Sequence, residues 1–396
     1  MSAAARTASS VGLDSHLPLW HSRFVYPVGE PMTLPMRWND VRPALQLVAE
    51  ATRWSVEFAA QLTSEPHGGG TAAKSDASPV TAADLAVQAL LVHGLREHYG
   101  DMPVVGEEST AVFCEGGADE RRERLEEHDG QYSLRASVHK FVRQARPGLT
   151  PTQIDEAIDA GCADGTSREQ WIIDPIDGTR GYLGGQQYCV CLAFVRDQVP
   201  LFGAAGCPRL GTRGSIIGAV PGGGAWCWSG LDLSEAPAQM VTSRSAREAG
   251  GALVVCESPQ ASARARSRMR RLAESLNRQV IVRPMESQCK FVLVANGQAD
   301  LAIRFASNDP ARNRDMVWDY AGAVVFAEEA GARMTDCDGA PLRFGRGRAI
   351  ERNRGILCAA SWLHADAVRA CRSVDHEFDA LPMRAATEPP AGEGRA

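Results

Sequence analysis

The sequence lacks several features that would assign it to a specialised class of protein. It has no apolar run near the roughly 20 residues needed to span a bilayer, and it has no internal repeat and no low-complexity domain. Its formal net charge is only −6 and its pI is about 5.9, so nothing favours nucleic acid or an anionic membrane as a partner. These absences predict a soluble globular protein whose partner is a small molecule.

A disulfide framework and a zinc-binding motif are also missing. The eleven cysteines are an odd number, no Cys-x-x-Cys pair occurs, and Cys189 and Cys191 are the nearest two. Scattered thiols of this kind are typical of a reducing compartment, and we predict a cytoplasmic location. The Ala- and Ser-rich N-terminal residues have no apolar segment followed by a cleavage site, but they leave organellar import open.

The length of 396 residues predicts two or three domains, because a domain averages about 150 residues. We expect an N-terminal extension over 1–36, a first α+β domain over 37–206, a second α/β domain over 207–376 and a disordered tail over 377–396. The tail combines Pro-Pro, Glu and Gly, a composition that cannot form a core. We predict a monomer.

The strongest chemical signal lies in the stretch 171–182. An apolar strand leads to Asp174, and Pro175 is expected to end it, because proline has no N–H for the ladder. Asp177-Gly-Thr follows, where a helix start would place backbone N–H groups beside two carboxylates. Such a pair is typical of a site that joins Mg²⁺ to phosphate. The alternative is an Asp-Pro and Asp-Gly turn that caps a buried strand.

Further acids lie at the ends of other predicted elements. Thr81 suits the N-cap of a helix, and Asp84 falls at its third position, as in a capping box. Glu107 and Glu108 end a short strand, and either both are solvated or one of them turns into a cation site. Asp319 falls in a first helical turn, where helix-dipole capping is a sufficient reason for an acid.

These element ends together carry five acids: Asp84, Glu107, Asp174, Asp177 and Asp319. If they were gathered at one point, they would repel one another strongly unless cations neutralised them. Two Mg²⁺ ions about 3.5–4 Å apart can polarise a phosphoryl oxygen and lower the pKa of a bound water. Spacing in the sequence alone does not show that the five acids converge.

The motifs that carry these acids resemble those of a known superfamily. They are Pro-Val-Thr-x-x-Asp84, Val-Gly-Glu107-Glu, Asp174-Pro-Ile-Asp177-Gly-Thr179 and Trp318-Asp319. Over about residues 40–362, the chain is similar to the lithium-sensitive, Mg²⁺-dependent phosphatases that include inositol monophosphatases and fructose 1,6-bisphosphatases. The resemblance implies an α+β, layered α/β/α/β/α sugar-phosphatase fold in two domains, with the active site between them.

Three segments narrow the resemblance to the 3′(2′),5′-bisphosphate nucleotidases of the yeast and plant type. They are Lys-Ser-Asp-x-Ser-Pro-Val-Thr at 74–81, the stretch from Gly-Thr-Arg-Gly-Tyr to Gln-Gln-Tyr at 178–188, and Met-Glu-Ser-Gln-Cys-Lys-Phe at 285–291. Inositol monophosphatases usually carry Thr-Asn-Phe in the second segment, and this chain does not. The implied reaction is hydrolysis of 3′-phosphoadenosine 5′-phosphate (PAP) to AMP and phosphate, with the 5′-phosphosulfate analogue as a further candidate substrate.

The resemblance also implies a division of roles among the residues. The ligands of two or three Mg²⁺ ions would be Glu107, Asp174, Asp177, Asp319 and the carbonyl of Ile176. Asp84 and Thr179 would position and deprotonate the attacking water. The substrate contacts would be the amides of Gly178 and Thr179, together with Ser287, Lys290 and Arg304. A forked Arg and a point-charge Lys suit a phosphate, although each of these last three, taken alone, fits a surface role equally well.

One segment departs from the nucleotidase pattern. Family members usually carry a His-Ser-Ser-His-like segment after the acid at Glu257, whereas residues 257–266 contain no histidine. We hypothesise that Arg264 or Arg266 replaces it as a phosphate contact, the alternative being a solvated basic helix face. The departure leaves two other functions open. One is an inositol polyphosphate 1-phosphatase or another inositol or sugar phosphatase, and the other is a catalytically silent nucleotide-binding or redox-sensing protein.

Overall fold

The computed structural model describes residues 36–64, 71–73, 79–113, 134–242, 251–305, 315–350 and 353–379. Nearly all of the predicted extension and tail, and the segment 74–78 of the nucleotidase-like motif, lie outside these residues. Within the described part of the chain, no helix has both the length and the apolar character needed to cross a membrane.

Helices form where apolar side chains recur at helical spacing. They are α1 (Trp38–Ser64), α2 (Ala82–Tyr99), α3 (Leu134–Ala145), α4 (Pro151–Asp159), α5 (Thr179–Leu183), α6 (Ala263–Ser275), α7 (Cys289–Ala295), α8 (Ala321–Glu329) and α9 (Ser361–Asp379). Short 3₁₀ turns cover Thr110–Phe113 and Val317–Asp319. The capping box predicted at the start of α2 is confirmed, since the Thr81 and Asp84 side chains each accept a backbone N–H from the other end of the box.

The larger sheet contains β3 (Val104–Gly106), β4 (Glu169–Asp177), β5 (Cys189–Arg196), β6 (Val199–Cys207), β7 (Ser215–Val220), β8 (Gly224–Ser229) and β9 (Ala238–Gln239), after a small hairpin of β1 (Thr71–Ala73) and β2 (Pro79–Thr81). Its strands lie in chain order, and only the β3–β4 pair is parallel. The three glycines at 222–224 lie at the turn of the β7–β8 hairpin.

The smaller sheet has the order β11-β10-β12-β14-β13, with β10 (Leu253–Glu257), β11 (Val280–Pro284), β12 (Leu301–Arg304), β13 (Ala332–Thr335) and β14 (Ile356–Ala360). Strand β10 is parallel to both of its neighbours, whereas β14 is antiparallel to β12 and β13. Parallel pairing needs a crossover between strands, and α6 and α7 lie in the connections that follow β10 and β11.

Side chains that alternate between the two faces of each sheet pack against helices on both sides, which gives five layers. In β4, Trp171 and Ile173 pack with α1 to α4, whereas Ile172 packs on the opposite face with α7 and α8. Those two helices also cover one face of the smaller sheet, and α6 and α9 cover its other face. Successive strand residues point to opposite faces, so each sheet lies between two helical layers. The predicted α/β/α/β/α fold is confirmed.

The sheets place the structural division later in the chain than we expected. The predicted domain boundary after Gly206 falls near the end of β6, but β6 pairs with β7 from Gly203↔Ala219 to Cys207↔Ser215. Residues 215–239 therefore continue the larger sheet, and the smaller sheet begins at Leu253. The two-domain division remains a proposal, for which the sheets favour a boundary between β9 and β10.

Candidate active site

Strand β4 carries two aspartates at its C-terminal end. Asp174 is buried and Asp177 is half-buried. The expectation that Pro175 ends the strand is wrong, because β4 continues to Asp177 and its register with β5 shifts between Asp174 and Asp177. An irregularity of this kind accommodates a proline, since it interrupts the ladder where the N–H is missing. The chain therefore presents two carboxylates at one end of a strand whose pairing with β5 resumes after the proline.

Glu107 lies beside this strand end because of the parallel pairing of β3 and β4. Gly106 pairs with Ile173, so the residues that follow them, Glu107 and Asp174, lie side by side. The Glu107 side chain is half-buried, and its charge adds to burial in raising the pKa of both Asp174 and Asp319. Glu108 is only 2% exposed. The alternative of two solvated acids at this position is therefore wrong.

The buried side chain of Gln88 on α2 holds the backbone next to Glu107. Its amide nitrogen donates to the carbonyl of Glu108 at 2.7 Å and to that of Ile158 at 2.8 Å, and its carbonyl oxygen accepts the Glu108 N–H at 3.0 Å. Sequence analysis missed this residue. The available signal was a glutamine inside the apolar run 85–92 of α2, since a buried amide needs a full set of partners.

Asp319 lies in the 3₁₀ turn that precedes α8, and not in an α-helix. Its carboxylate accepts the N–H of Met316 at 3.2 Å, so the alternative of a capping role is partly right. The same side chain also lies with the two aspartates of β4. Carboxylate oxygens of Asp174, Asp177 and Asp319 are all within 4.8 Å of one another. The convergence that sequence spacing left open therefore occurs for these three acids.

The three acids repel one another in a site with little solvent. Burial is the largest cause that raises the pKa of each, and the charges of nearby acids add to it, bringing the pKa of Asp319 to about 7. At Asp177, the Lys290 charge and the Gln288 N–H oppose this rise. In the described part of the chain, the buried Oδ1 of Asp174 has no hydrogen-bond partner. An unpaired carboxylate oxygen beside two other acids fits a divalent cation.

A hydroxyl and a carboxylate form a second part of the site. Oγ1 of Thr179, the first residue of α5, lies 3.1 Å from Oδ1 of Asp84 and 3.3 Å from the carbonyl oxygen of Ile176. The other oxygen of the Asp84 carboxylate accepts the N–H of Thr81 at 2.8 Å and its hydroxyl at 2.5 Å. The Asp84 side chain is therefore held firmly, with Oδ1 directed at Thr179.

The loop before α7 closes the site from the smaller sheet. Ser287 has a positive φ of 59° and is 5% exposed, and its Cβ would lie 3.2 Å from a Cβ added at Gly178. The N–H of the next residue, Gln288, donates to Oδ2 of Asp177 at 2.5 Å. Sequence analysis singled out Ser287 and missed Gln288. Almost any residue type can donate a backbone N–H, so no sequence signal could have revealed this contact of Gln288.

The two predicted cationic contacts are held differently. Lys290 is half-buried on α7, and its charge opposes the rise in the pKa of Asp177, which places it near the predicted metal ligands. Arg304 forms an ion pair with Asp315 at 2.9 Å, and its guanidinium lies 3.5 Å from the Tyr320 hydroxyl. Its charge opposes the rise in the pKa of Asp319. Arg304 is therefore anchored near the acids, and its contact with substrate remains a prediction.

The comparisons with known proteins agree with this geometry. The inositol monophosphatase family model matches residues 41–376. The chain belongs to this family. Among curated family relatives, a 3′(2′),5′-bisphosphate nucleotidase of Schizosaccharomyces pombe is 28% identical, covering 84% of this chain and 94% of the relative. A probable 3′(2′),5′-bisphosphate nucleotidase 4 of Arabidopsis thaliana is 30% identical, covering 83% of this chain and 95% of the relative.

Solved structures of the inositol monophosphatase family share the fold. Thermotoga maritima IMPase aligns with a TM-score of 0.54 at 16% identity, covering 86% of this chain and 99% of that one. CysQ from Bacteroides thetaiotaomicron aligns with a TM-score of 0.52 at 20% identity, covering 82% and 97%. These likenesses confirm the layered architecture.

Segment 257–266, which departs from the nucleotidase pattern, is held by contacts between its own residues. Arg266 lies 3.7 Å from the Glu257 carboxylate, and its guanidinium donates to the carbonyl of Pro259 at 2.8 Å. Gln260 in the same loop accepts a hydrogen bond from Arg180 of α5 at 3.1 Å. The loop therefore reaches the element that begins with Thr179. A phosphate contact by Arg264 or Arg266 stays a prediction.

Arg348 links the two loops that carry Glu107 and Asp319, and sequence analysis missed it. One guanidinium nitrogen donates to the carbonyls of Gly161 and Ala163 at 2.9 and 3.0 Å, and another donates to that of Gly106 at 2.5 Å. The guanidinium carbon also lies 4.8 Å from the ring centroid of Trp318. Only a planar, forked cation makes this set of contacts. We infer that Arg348 is a positioning residue for the acid site.

Replacing Arg348 with Lys should weaken divalent-cation binding about 10–100-fold, the usual effect of losing a residue that orients metal ligands. The expected signature is a higher Mg²⁺ requirement for phosphate release, with the maximal rate largely restored at saturating Mg²⁺. The matched control is Arg346→Lys, because Arg346 is exposed and, within the described part of the chain, its side chain donates a hydrogen bond to Gln198. Equal Mg²⁺ requirements in the two variants would contradict the positioning role.

Proposed function

We propose that this protein is a Mg²⁺-dependent phosphomonoesterase that hydrolyses the 3′-phosphate of PAP to give AMP and phosphate. The observation that carries the proposal is the Thr179–Asp84 hydrogen bond of 3.1 Å next to three converging aspartates. A hydroxyl that relays a proton to a carboxylate, beside a cation site, is what attack of water on a phosphate ester requires. The nucleotidases among the relatives support the choice of a bisphosphorylated nucleotide.

The cations would be bound by oxygen atoms of the acids and of one backbone carbonyl. Asp174, Asp177 and Asp319 supply the converging oxygens, Glu107 lies beside Asp174, and the Ile176 carbonyl lies next to the Thr179 hydroxyl. Hard oxygen donors of this kind select Mg²⁺ over softer metals. When bound, Mg²⁺ supplies Lewis-acid charge and lowers the pKa of a bound water. We propose two or three ions, as in the family that the motifs resemble.

The chain's own residues would move the proton. Two hydrogen bonds from Thr81 occupy Oδ2 of Asp84, so Oδ1 is the oxygen that faces Thr179. The Thr179 hydroxyl would donate to this oxygen and accept a hydrogen bond from the attacking water. The water proton would then pass through the hydroxyl to Asp84, while the water oxygen bonds to phosphorus and the bond between phosphorus and the ribose 3′-oxygen breaks. The 3′-oxygen would leave as an alkoxide and take a proton from solvent.

The substrate would lie between the two sheets. We propose that the scissile phosphate rests against the amides of Gly178 and Thr179, with Ser287 packed behind this turn. Lys290 and Arg304 would hold the second phosphate and the ribose, because both cations come from the smaller sheet and its helix and lie near the acids. A similar structure, a Staphylococcus aureus IMPase-II, was solved with 2′-AMP bound.

Thr179→Val should lower kcat for phosphate release on the order of 10²-fold or more, because it removes the relay hydroxyl while keeping the shape of the side chain. Thr179→Ser is the matched control and should keep most of the activity, since it retains Oγ. The measurement is steady-state phosphate release at saturating Mg²⁺. Full activity in Thr179→Val would exclude the hydroxyl as the proton relay.

The test of the proposed function is a substrate panel with the full-length protein. Phosphate release should be measured from PAP, its 5′-phosphosulfate analogue, inositol 1,4-bisphosphate and fructose 1,6-bisphosphate, with Mg²⁺ and with added Li⁺. We expect Mg²⁺-dependent and Li⁺-sensitive release from PAP. Release from the inositol or sugar compound alone would retain the cation site and make segment 257–266 the determinant of specificity. Nucleotide binding without release from any compound would favour the silent alternative.

A further inference from the structure

A group of thiols lies in the core behind the acid site. Strand β5 begins with Cys189 and continues to Cys191, β6 ends at Cys207, and α7 begins at Cys289. Val190 pairs with Gly206, so Cys189 and Cys207 are adjacent on neighbouring strands. All four side chains belong to the apolar layer between the two sheets, and none is more than 2% exposed.

Three of these sulfur atoms form a compact triangle. Sγ atoms of Cys189, Cys207 and Cys289 lie within 4.8 Å of one another. All three thiols are free. Cys191 is next to the triangle, with its Sγ at 3.4 Å from that of Cys189. Three thiolates around one ion with metal–sulfur bonds of about 2.3 Å would have their sulfurs roughly 4 Å apart. The triangle therefore has nearly the dimensions of a metal site.

We propose that Cys189, Cys207 and Cys289 form a binding site for one soft metal ion of the Zn²⁺ or Cd²⁺ class, separate from the acid site. Thiolates select such ions over Mg²⁺, which prefers oxygen. Each thiol that becomes a ligand gives up its proton to solvent. The acid site provides the path for the ion, because Sγ of Cys189 is 3.7 Å from Oδ2 of the half-buried Asp177.

The thiol site is connected to the acid site through two contacts. Cys189 touches Asp177, and Cys289 directly follows Gln288, whose N–H bonds to the same carboxylate. An ion that draws the thiols together would displace Asp177 and the loop before α7. This consequence rests on the proposed function: Zn²⁺ should inhibit phosphate release, and excess Mg²⁺ should not reverse the inhibition.

The test uses Cd²⁺ as the probe, because thiolate ligation of Cd²⁺ produces an ultraviolet charge-transfer band that carboxylate ligation does not. The full-length protein, kept reduced by a phosphine and saturated with Mg²⁺, is titrated with Cd²⁺. We expect the band to saturate at one Cd²⁺ per chain, and Zn²⁺ to suppress it by competition. Cys207→Ser should weaken Cd²⁺ binding about 10–100-fold. Cys207 is the choice because Cys189 bonds to Asp177 and Cys289 follows Gln288, whereas Cys207 lies at the end of β6.

The matched control is Cys358→Ser, since Cys358 is fully buried in the same apolar layer but lies on β14, outside the triangle. It should bind Cd²⁺ like the unaltered protein. Circular dichroism checks that both variants fold, and if Cys207→Ser does not, the ¹¹³Cd chemical shift of the unaltered protein still reports whether sulfur ligates. Absence of the band, or its equal loss in both folded variants, would overturn the proposal. Neither readout needs phosphatase activity, so failure of the proposed function would be seen separately.

Discussion

Replacing Asp174 with Asn should abolish Mg²⁺-dependent phosphate release, with a fall in kcat/KM of at least about 10³-fold, the scale on which a preorganised electrostatic contact acts. The buried Oδ1 of Asp174 has no hydrogen-bond partner in the described part of the chain, and the Asp174 carboxylate is within 4.8 Å of those of Asp177 and Asp319. An amide has no negative charge to hold a cation there. The change therefore removes a ligand without changing the size of the side chain.

The same substitution should raise the stability of the metal-free protein. Burial and the charges of Glu107, Asp177 and Asp319 raise the pKa of Asp174, which means that its ionised form is unfavourable in the folded chain without cations. Asn removes one of the repelling charges. Thermal unfolding in the presence of a chelator should therefore show a higher midpoint for Asp174→Asn than for the unaltered protein, and added Mg²⁺ should stabilise only the latter.

The matched control for this pair of effects is Asp197→Asn. Asp197 forms a 2.7 Å ion pair with Arg168 at the surface, on the turn between β5 and β6. Its positive φ of 49° suits asparagine as well as aspartate. We expect unchanged activity and only a small change in stability. Full activity in Asp174→Asn would exclude this carboxylate as a cation ligand.

Replacing Gly203 with Ala should cause the largest loss of stability, about 3 kcal/mol, which is the upper part of the usual range for overpacking. Gly203 lies on β6, and a Cβ there would overlap the carbonyl of Gly322 on α8. The obstructing atoms of Gly322 all belong to the backbone, so no side-chain rotation relieves the overlap. The helix would have to move away from the sheet, and α8 is the helix that directly follows Asp319.

Urea unfolding measures this effect, and Gly148→Ala is the matched control. A Cβ at Gly148 would meet nothing within 4 Å, so the same substitution there should change stability by no more than about 0.5 kcal/mol. The displacement of α8 should also weaken the Mg²⁺ dependence of activity in Gly203→Ala. Equal stability of the two variants would mean that α8 does not pack against β6 as closely as the structure has it.

Much of the local structure could be predicted because its causes are local. The Thr81 and Asp84 capping box depends on residues only a few positions apart. The apolar run before Asp174 likewise predicted the buried strand β4. The family motifs added the layered fold, which the structure and its relatives confirm.

Other predictions failed where pairing between distant segments decides the outcome. Pro175 alone indicates a strand end, but pairing with β5 carries the strand past it. The domain boundary that we expected after Gly206 stays a prediction, although the pairing of β6 with β7 favours a later one. Glu107 and Glu108 are the same residue type. The Gln88 side chain on α2 and the register of β3 with β4 determine which of the two faces the acids. Such contacts involve residues that are far apart in the chain.

The sequence by itself determined the chemistry that is available: five acids at element ends, a Thr-Asp pair with the right side chains, and apolar patterns that form layers. Only the tertiary structure decided where these groups meet. It brought three aspartates within 4.8 Å, placed Arg348 across two loops and gathered Cys189, Cys207 and Cys289 behind them. The physical reason is that side-chain identity and local propensity act over a few residues, whereas charge repulsion, metal affinity and hydrogen bonding depend on distances that the packing of whole sheets and helices sets.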